Sequence, residues 1–226
     1  MTDDPLVLAD SLARAFGADP TTVLAVADAS FVVGPADRIA LVGPSGSGKS
    51  TLLHLVAGLD RPTAGSISWP ALGDRADLRP GPIGVAFQGP SLLPPLTVVE
   101  NVALPLILAG GVASVARAAA GELIDAFGLS GLADKLPEEL SGGQAQRAAV
   151  ARAFAGTPRL VLADEPTGQQ DHATAERLID VVLAIAELGG VALMIATHDP
   201  SIAERFEARW SMESGSLRTK ELPCSA

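Results

Sequence analysis

Tyrosine is absent from this 226-residue chain, cysteine occurs once, and lysine occurs three times. A lone cysteine, Cys224 in a polar tail, cannot close an internal disulfide, which removes the disulfide-stapled secreted class and fits a reducing compartment. Sixteen basic residues stand against 26 acidic ones for a formal charge of −10, and the basic residues form no runs. Nucleic-acid binders neutralise phosphates with clustered Lys and Arg, so no nucleic-acid partner is expected. Hydrophobic residues make up 48% of the chain, yet no uninterrupted apolar run approaches the roughly 20 residues that span a bilayer. The nearest, 102–115, is expected to be broken by Pro105 and by Gly110-Gly111, as an element of a helical subdomain. No secretory signal is read before Leu6. The length suits one domain with an insertion better than two independent domains.

What is present is glycine-rich and made for phosphate. Gly43-Pro44-Ser45-Gly46-Ser47-Gly48-Lys49-Ser50 fits the P-loop pattern G-x-x-x-x-G-K-[ST]. In that pattern glycines let backbone N–H groups wrap phosphates, the lysine reaches the outer phosphates and the hydroxyl holds magnesium. A second glycine-rich stretch, Leu140-Ser141-Gly142-Gly143-Gln144, lies further along the chain.

Short apolar runs at 38–42, 83–87, 160–163 and 191–197 read as strands of a buried parallel sheet. Each ends at a candidate functional residue: Gly43, Gln88, Asp164-Glu165 and His198 in turn. Ligands of α/β proteins bind at the carboxyl ends of such strands. Helices are expected over 49–57, stopped by Gly58, and over 143–155, stopped by Gly156 and Pro158. Thr97 and Glu100 form a T-x-x-E capping box that opens another. Helical patterning replaces strand patterning between Gly89 and Val150. Near the amino end, 6–12, 23–33 and 66–69 read as a small antiparallel sheet, and 212–217 as a hairpin turning at Ser214-Gly215.

The P-loop, Gln88, the Leu140–Gln144 signature, Asp164-Glu165, Asp171 and His198 occur in an order that resembles the ATP-binding-cassette ATPases along nearly the whole chain. The resemblance implies an α/β P-loop NTPase core with a mainly parallel sheet, a small antiparallel β subdomain and an inserted α-helical subdomain. One ABC ATPase domain would then fill 1–226, with its core in 1–88 and 151–220, the helical subdomain in 89–150 and a tail at 221–226.

Roles carried over by the resemblance concern Mg-ATP. Residues Gly43, Pro44, Ser45, Gly46, Ser47 and Gly48 would wrap the phosphates, Lys49 would contact the β- and γ-phosphates, Ser50 would ligate Mg²⁺ and Thr51 would touch the α-phosphate. Asp164 would hold magnesium through water, Glu165 would act as general base, and His198 would contact the γ-phosphate and align Glu165. Gln88 would coordinate magnesium or water and report nucleotide state. Ser141, Gly142, Gly143 and Gln144 would complete the site of a second copy, with Asp171 in the adjoining loop. Phe16 stands where the family's aromatic stacks on adenine, with core packing as the alternative reading. Trp69, Trp210, His54 and His172 are read as structural.

Three strings, Gly58-Leu59-Asp60-Arg61-Pro62-Thr63, Glu100-Asn101-Val102-Ala103-Leu104-Pro105-Leu106 and Asp164-Glu165-Pro166-Thr167-Gly168, resemble the group serving lipoprotein release and macrolide efflux. A departure follows Pro166-Thr167-Gly168, where the family's asparagine and leucine are Gln169 and Gln170. The resemblance implies a homodimer around two ATP molecules that drives a separate integral-membrane permease from the cytoplasmic face, for export or mechanical work. The alternatives are a soluble ABC ATPase acting on nucleic acid or ribosomes and a nucleotide-gated scaffold. The permease contact is expected within 88–101, where Leu92, Leu93, Leu96 and Val98 flank Pro94-Pro95.

Overall fold

The structure is a computed structural model and describes residues 4–18, 21–89 and 91–221; Cys224 lies outside these. Two compact units divide the chain, Met1–Leu78 with Ala192–Ala226 and Arg79–Val191.

In the first unit the alternating amino-terminal stretch becomes β1 (Val7–Phe16) and β2 (Val23–Val33), which pair antiparallel. Val7 and Ala9 are buried while Leu8 and Asp10 are exposed, the half-buried pattern of period two, and Leu12 is buried one residue out of phase. β1 continues past Leu12 to Phe16 because register shifts after Ala9 and Leu12, with Ser11 at φ 47°, bend it without ending it. β3 (Arg38–Val42) is the expected buried run. Helix α1 (Lys49–Val56) buries Leu52, Leu53, Leu55 and Val56 and stops before Gly58, whose φ of 65° no ordinary helix continues. β4 (Ala64–Ser68) pairs antiparallel with the free side of β1.

The second unit opens with β5 (Ile83–Ala86) and then turns helical: α2 (Val98–Leu108), α3 (Ala113–Ala126) and α4 (Gly142–Phe154). The Thr97–Glu100 capping box starts α2 as the sequence predicts. Pro105, expected as a break, sits inside α2, and the chain stops being helical only around Gly110. The reason is tertiary: Val98, Val99, Val102 and Ala103 are buried, and α2 packs on α3 and α4, which outweighs one lost backbone bond near the helix end. β6 (Leu160–Asp164) pairs parallel with β5. Helix α5 (His172–Gly189) buries Ala175, Leu178, Ile179, Val182 and Ala186 along one stripe.

Back in the first unit come β7 (Ala192–Thr197), the short α6 (Pro200–Ala203), β8 (Ala208–Glu213) and β9 (Ser216–Glu221). β3 lies parallel between β7 and β8, and β8 and β9 form the expected hairpin, turning at Ser214 (φ 48°) and Gly215 (φ 83°). β9 also meets β2 at Ala27, so the strands of this unit run β4-β1-β2-β9-β8-β3-β7. The small antiparallel sheet is therefore continuous with the parallel one. Both tryptophans pack: Trp210 tilts against Phe31 with ring centroids 5.1 Å apart, and Trp69 Nε1 donates to the Val56 carbonyl at 2.8 Å. Among the described residues no helix is long and apolar enough to cross a membrane.

Candidate functional site

In the first unit Val42 pairs with Thr197, so the glycine-rich loop leaving β3 and the residues leaving β7 emerge from neighbouring strand ends. The loop is crowded by backbone. A Cβ at Gly43 would collide with the Met212 carbonyl and one at Gly48 with the Ala25 carbonyl, and both positions have φ values, 155° and 105°, that favour glycine. Gly48 in turn caps the N-terminus of α1, where free N–H groups and the helix dipole favour an anion. Lys49 is buried, and its Nζ donates to the carbonyls of Gly43 at 2.7 Å and Pro44 at 3.0 Å. No carboxylate of the described residues pairs with it. The hydroxyl of Ser47 is buried and has no hydrogen-bond partner among the described residues. Ser50 and Thr51 stand half-buried in the first turn of α1. A buried cation and an unserved hydroxyl in a glycine-rich loop at a helix N-terminus are the kind of groups that suit phosphate.

His198 follows β7 and is exposed. Phe16 ends β1, opposite Val23 of β2, and is 43% exposed, so it is not a core residue.

The second unit repeats the pattern of strand ends. Ala86 pairs with Ala163, so Phe87-Gln88 and Asp164-Glu165 leave adjacent parallel strands. Asp164 and Glu165 are both buried, at 7% and 8% exposure. Asp164 Oδ1 has no hydrogen-bond partner among the described residues. A buried, unserved carboxylate oxygen is the kind of donor a divalent cation takes, so this residue fits the magnesium role. Glu165 has φ 48°, a left-handed conformation costly for a residue with a Cβ and typical of functional turns. Gln88 is exposed.

Ser141 caps α4. Its hydroxyl accepts from the Gln144 N–H at 3.3 Å while Gln144 Oε1 accepts from the Ser141 N–H at 2.8 Å, a reciprocal capping box that S-x-x-Q spells in the sequence. Asp171 caps α5, with Oδ1 accepting from the Thr174 N–H at 3.0 Å and Oδ2 from the Thr174 hydroxyl at 2.7 Å. Those bonds hold the Asp171 carboxyl below its ordinary 3.8. The two departing glutamines have distinct places. Gln170 folds onto its own loop, Nε2 donating to the Pro166 carbonyl at 3.3 Å, while the Gln169 amide oxygen lies so close to Gly142 that a Cβ there would strike it.

The segment after Gln88 is tied down by residues to which the sequence assigned no such bond. Gln146 Nε2 donates to the Phe87 carbonyl at 3.1 Å, and Arg152 donates to the Ser91 carbonyl at 2.8 Å and hydroxyl at 3.0 Å. Asn101, fully buried, accepts from the Leu93 N–H at 2.7 Å and donates to the carbonyls of Leu93, Leu96 and Thr97. Of the leucines expected at a partner surface, Leu93 is 43% exposed and Leu92 and Leu96 are half-buried, whereas Val98 is fully buried as the first residue of α2. A cavity of about 430 Å³ opens beside them, lined by Leu92, Pro94, Gln146 and Gln169 among others.

Residues 26–168 match the family model described as ABC transporter. The chain is 39% identical to the lipoprotein-releasing system ATP-binding protein LolD of Legionella pneumophila strain Lens, in an alignment 226 positions long that covers 97% of this chain and 100% of that protein. The LolD of strain Paris matches to the same extent. Among solved structures, the dimeric bacterial ABC transporter cassette MJ0796 superposes with a TM-score of 0.90 at 31% identity, covering 97% of this chain and 100% of that one. A dimeric post-hydrolysis state of the same cassette, bound to ADP and Pi, superposes with a TM-score of 0.89 at 31% identity over the same shares.

Proposed function

The chain belongs to the ABC transporter family, and from that premise we propose that it binds and hydrolyses Mg-ATP as a homodimer and drives a separate membrane permease from the cytoplasmic face. It serves export or mechanical work, a reading that its likeness to proteins named for a lipoprotein-releasing system supports, and it involves no nucleic acid. The observation that carries this reading is Lys49, a buried ammonium facing backbone carbonyls and no carboxylate within the glycine loop. Triphosphate supplies the missing anion.

The roles follow from the chemistry of each group. Amides of Gly43 to Ser50 and the Lys49 ammonium bind the phosphates. Ser50, Gln88 and Asp164 would hold Mg²⁺, which neutralises charge on the outer phosphate oxygens. Glu165 accepts the proton of the attacking water, and His198 orients that step. Ser141, Gly142, Gly143 and Gln144 present a helix N-terminus to the nucleotide of the second copy, with the Asp171 loop beside it. Residues 89–150 act as the helical subdomain that turns closure into movement, and the exposed Leu93 region meets the permease.

Replacing Glu165 by Gln is expected to leave ATP binding intact and to slow hydrolysis by about 10² to 10⁴. Mg-ATP then holds the variant as a dimer in size-exclusion chromatography. Normal turnover, or a variant that stays monomeric with ATP, overturns the shared-site reading.

A further inference from the structure

The turn Gly58-Leu59-Asp60-Arg61-Pro62-Thr63 marked a subgroup in the sequence, and phosphate chemistry leaves it without a task. In the structure it holds the end of β1. The Thr63 N–H and hydroxyl both donate to the Ala13 carbonyl, at 2.8 and 3.1 Å, and Thr63 Oγ1 accepts from the Ala15 N–H at 3.2 Å. Between those two residues Arg14 reaches back to the turn, Nε to Asp60 Oδ2 at 2.7 Å. Asp60 is itself braced, its Oδ1 accepting from the Arg61 N–H and its carbonyl from Arg75. Burial pushes the Asp60 carboxyl up, but the bonds from Arg14 and Arg61 and the Arg14 charge outweigh it and hold it below 3.8.

Arg14 and Phe16 are two apart on a strand and so share a face. The Arg14 guanidinium carbon lies 4.2 Å from the centroid of the Phe16 ring. One face of the ring is thus covered by a fixed planar cation while the residue remains 43% exposed, with exposed Val23 opposite it on β2. A phenyl ring at a strand end turns freely about two torsions, and ordering it costs entropy on binding. A cation clamped to one face removes most of that freedom in advance.

We propose that Arg14, locked by Asp60 of the 58–63 turn, is a positioning residue that backs Phe16 as a one-sided stacking platform for the nucleobase. The proposal rests on the reading of Phe16 as the adenine-stacking residue. The base lies on the open face, giving the order guanidinium, phenyl, purine. Because the turn directly follows the phosphate-binding helix α1, it also sets the base platform at a fixed reach from the P-loop.

The test measures the affinity of the full chain for ATP and for inorganic tripolyphosphate, which has the phosphates and no base. Arg14→Ala is expected to weaken ATP binding about two- to five-fold, the range of an exposed cation–π contact, and to leave tripolyphosphate binding unchanged. Asp60→Asn, which keeps the shape and loses the charge, shifts ATP binding in the same direction and decides the matter if Arg14→Ala does not fold. In a Phe16→Ala background the Arg14 substitution adds nothing. Unchanged ATP affinity in the Arg14 and Asp60 variants overturns the proposal. So does an equal loss for tripolyphosphate, or an undiminished loss without Phe16. Failure of the stacking reading looks different: Phe16→Ala alone then leaves ATP affinity intact, where stacking requires a drop of about five-fold.

Discussion

Asn101 is the sharpest handle on the loop that follows Gln88. Its side chain is fully buried and replaces secondary structure for residues 93–97, accepting from the Leu93 N–H at 2.7 Å and donating to three carbonyls at 2.9 to 3.1 Å. Two Nδ2 hydrogens cannot fully serve three acceptors, so Asn101→Ala removes the equivalent of about three hydrogen bonds at about 1 kcal/mol each. The expected loss is about 3 kcal/mol. For a chain of this length each kcal/mol moves the melting temperature by about 2–4 °C, so Tm should fall by about 6–12 °C. Thermal unfolding followed by circular dichroism reads this directly. Asn101→Asp sharpens the test, because it keeps the acceptor for Leu93 but turns a carboxylate oxygen onto carbonyls. It should cost at least as much as the alanine variant. A Tm within about 2 °C of the parent chain for both variants refutes the assignment of Asn101 as the clamp of this loop.

Other perturbations probe other links. Leu93→Asp places a charge on the exposed leucine of the same loop, so it should abolish co-purification with the permease while Tm and the isolated ATPase rate stay unchanged; retained permease binding rules this contact out. Gly84→Ala pushes a Cβ into the Ala153 carbonyl where β5 meets α4, and a stability loss of about 1–3 kcal/mol in urea denaturation is expected; a neutral variant shows that α4 yields. The bonds from Thr174 hold the Asp171 carboxyl below its ordinary 3.8, so its contribution to stability is present above that value and is lost as pH falls through the lowered one. Asp171→Asn should therefore flatten the decline of Tm on acidification below about pH 4, and an unchanged slope removes Asp171 from the acid response.

Much of this protein is legible in its sequence for reasons that are local. The P-loop pattern specifies its own conformation, because alternating glycines and a following helix start allow few other backbone paths. Apolar runs bounded by polar residues locate β3, β6 and β7 to within a residue, since a strand buried on both faces has no polar position to confuse the pattern. Capping residues set the start of α2 and a glycine the end of α1 by hydrogen bonding and φ alone. The Ser141–Gln144 capping box belongs to the same legible class, spelled in S-x-x-Q.

What only the tertiary structure decided concerns pairings between residues distant in the chain. Pro105 stays helical because α2 packs on its neighbours, an energy that no window around the proline contains. Val98 turned from a surface candidate into core for the same reason. Phe16 was open between core and ligand contact until the fold exposed it and set Arg14 on one face. Gln146 and Arg152 were given no role in the sequence and Asn101 appears only inside a subgroup string; what each does exists only because folding brings Phe87, Ser91 and Leu93 within hydrogen-bond reach. Short-range sterics and capping write themselves into the sequence; long-range hydrogen bonds do not, because any polar side chain of sufficient reach can make them once the backbone is in place.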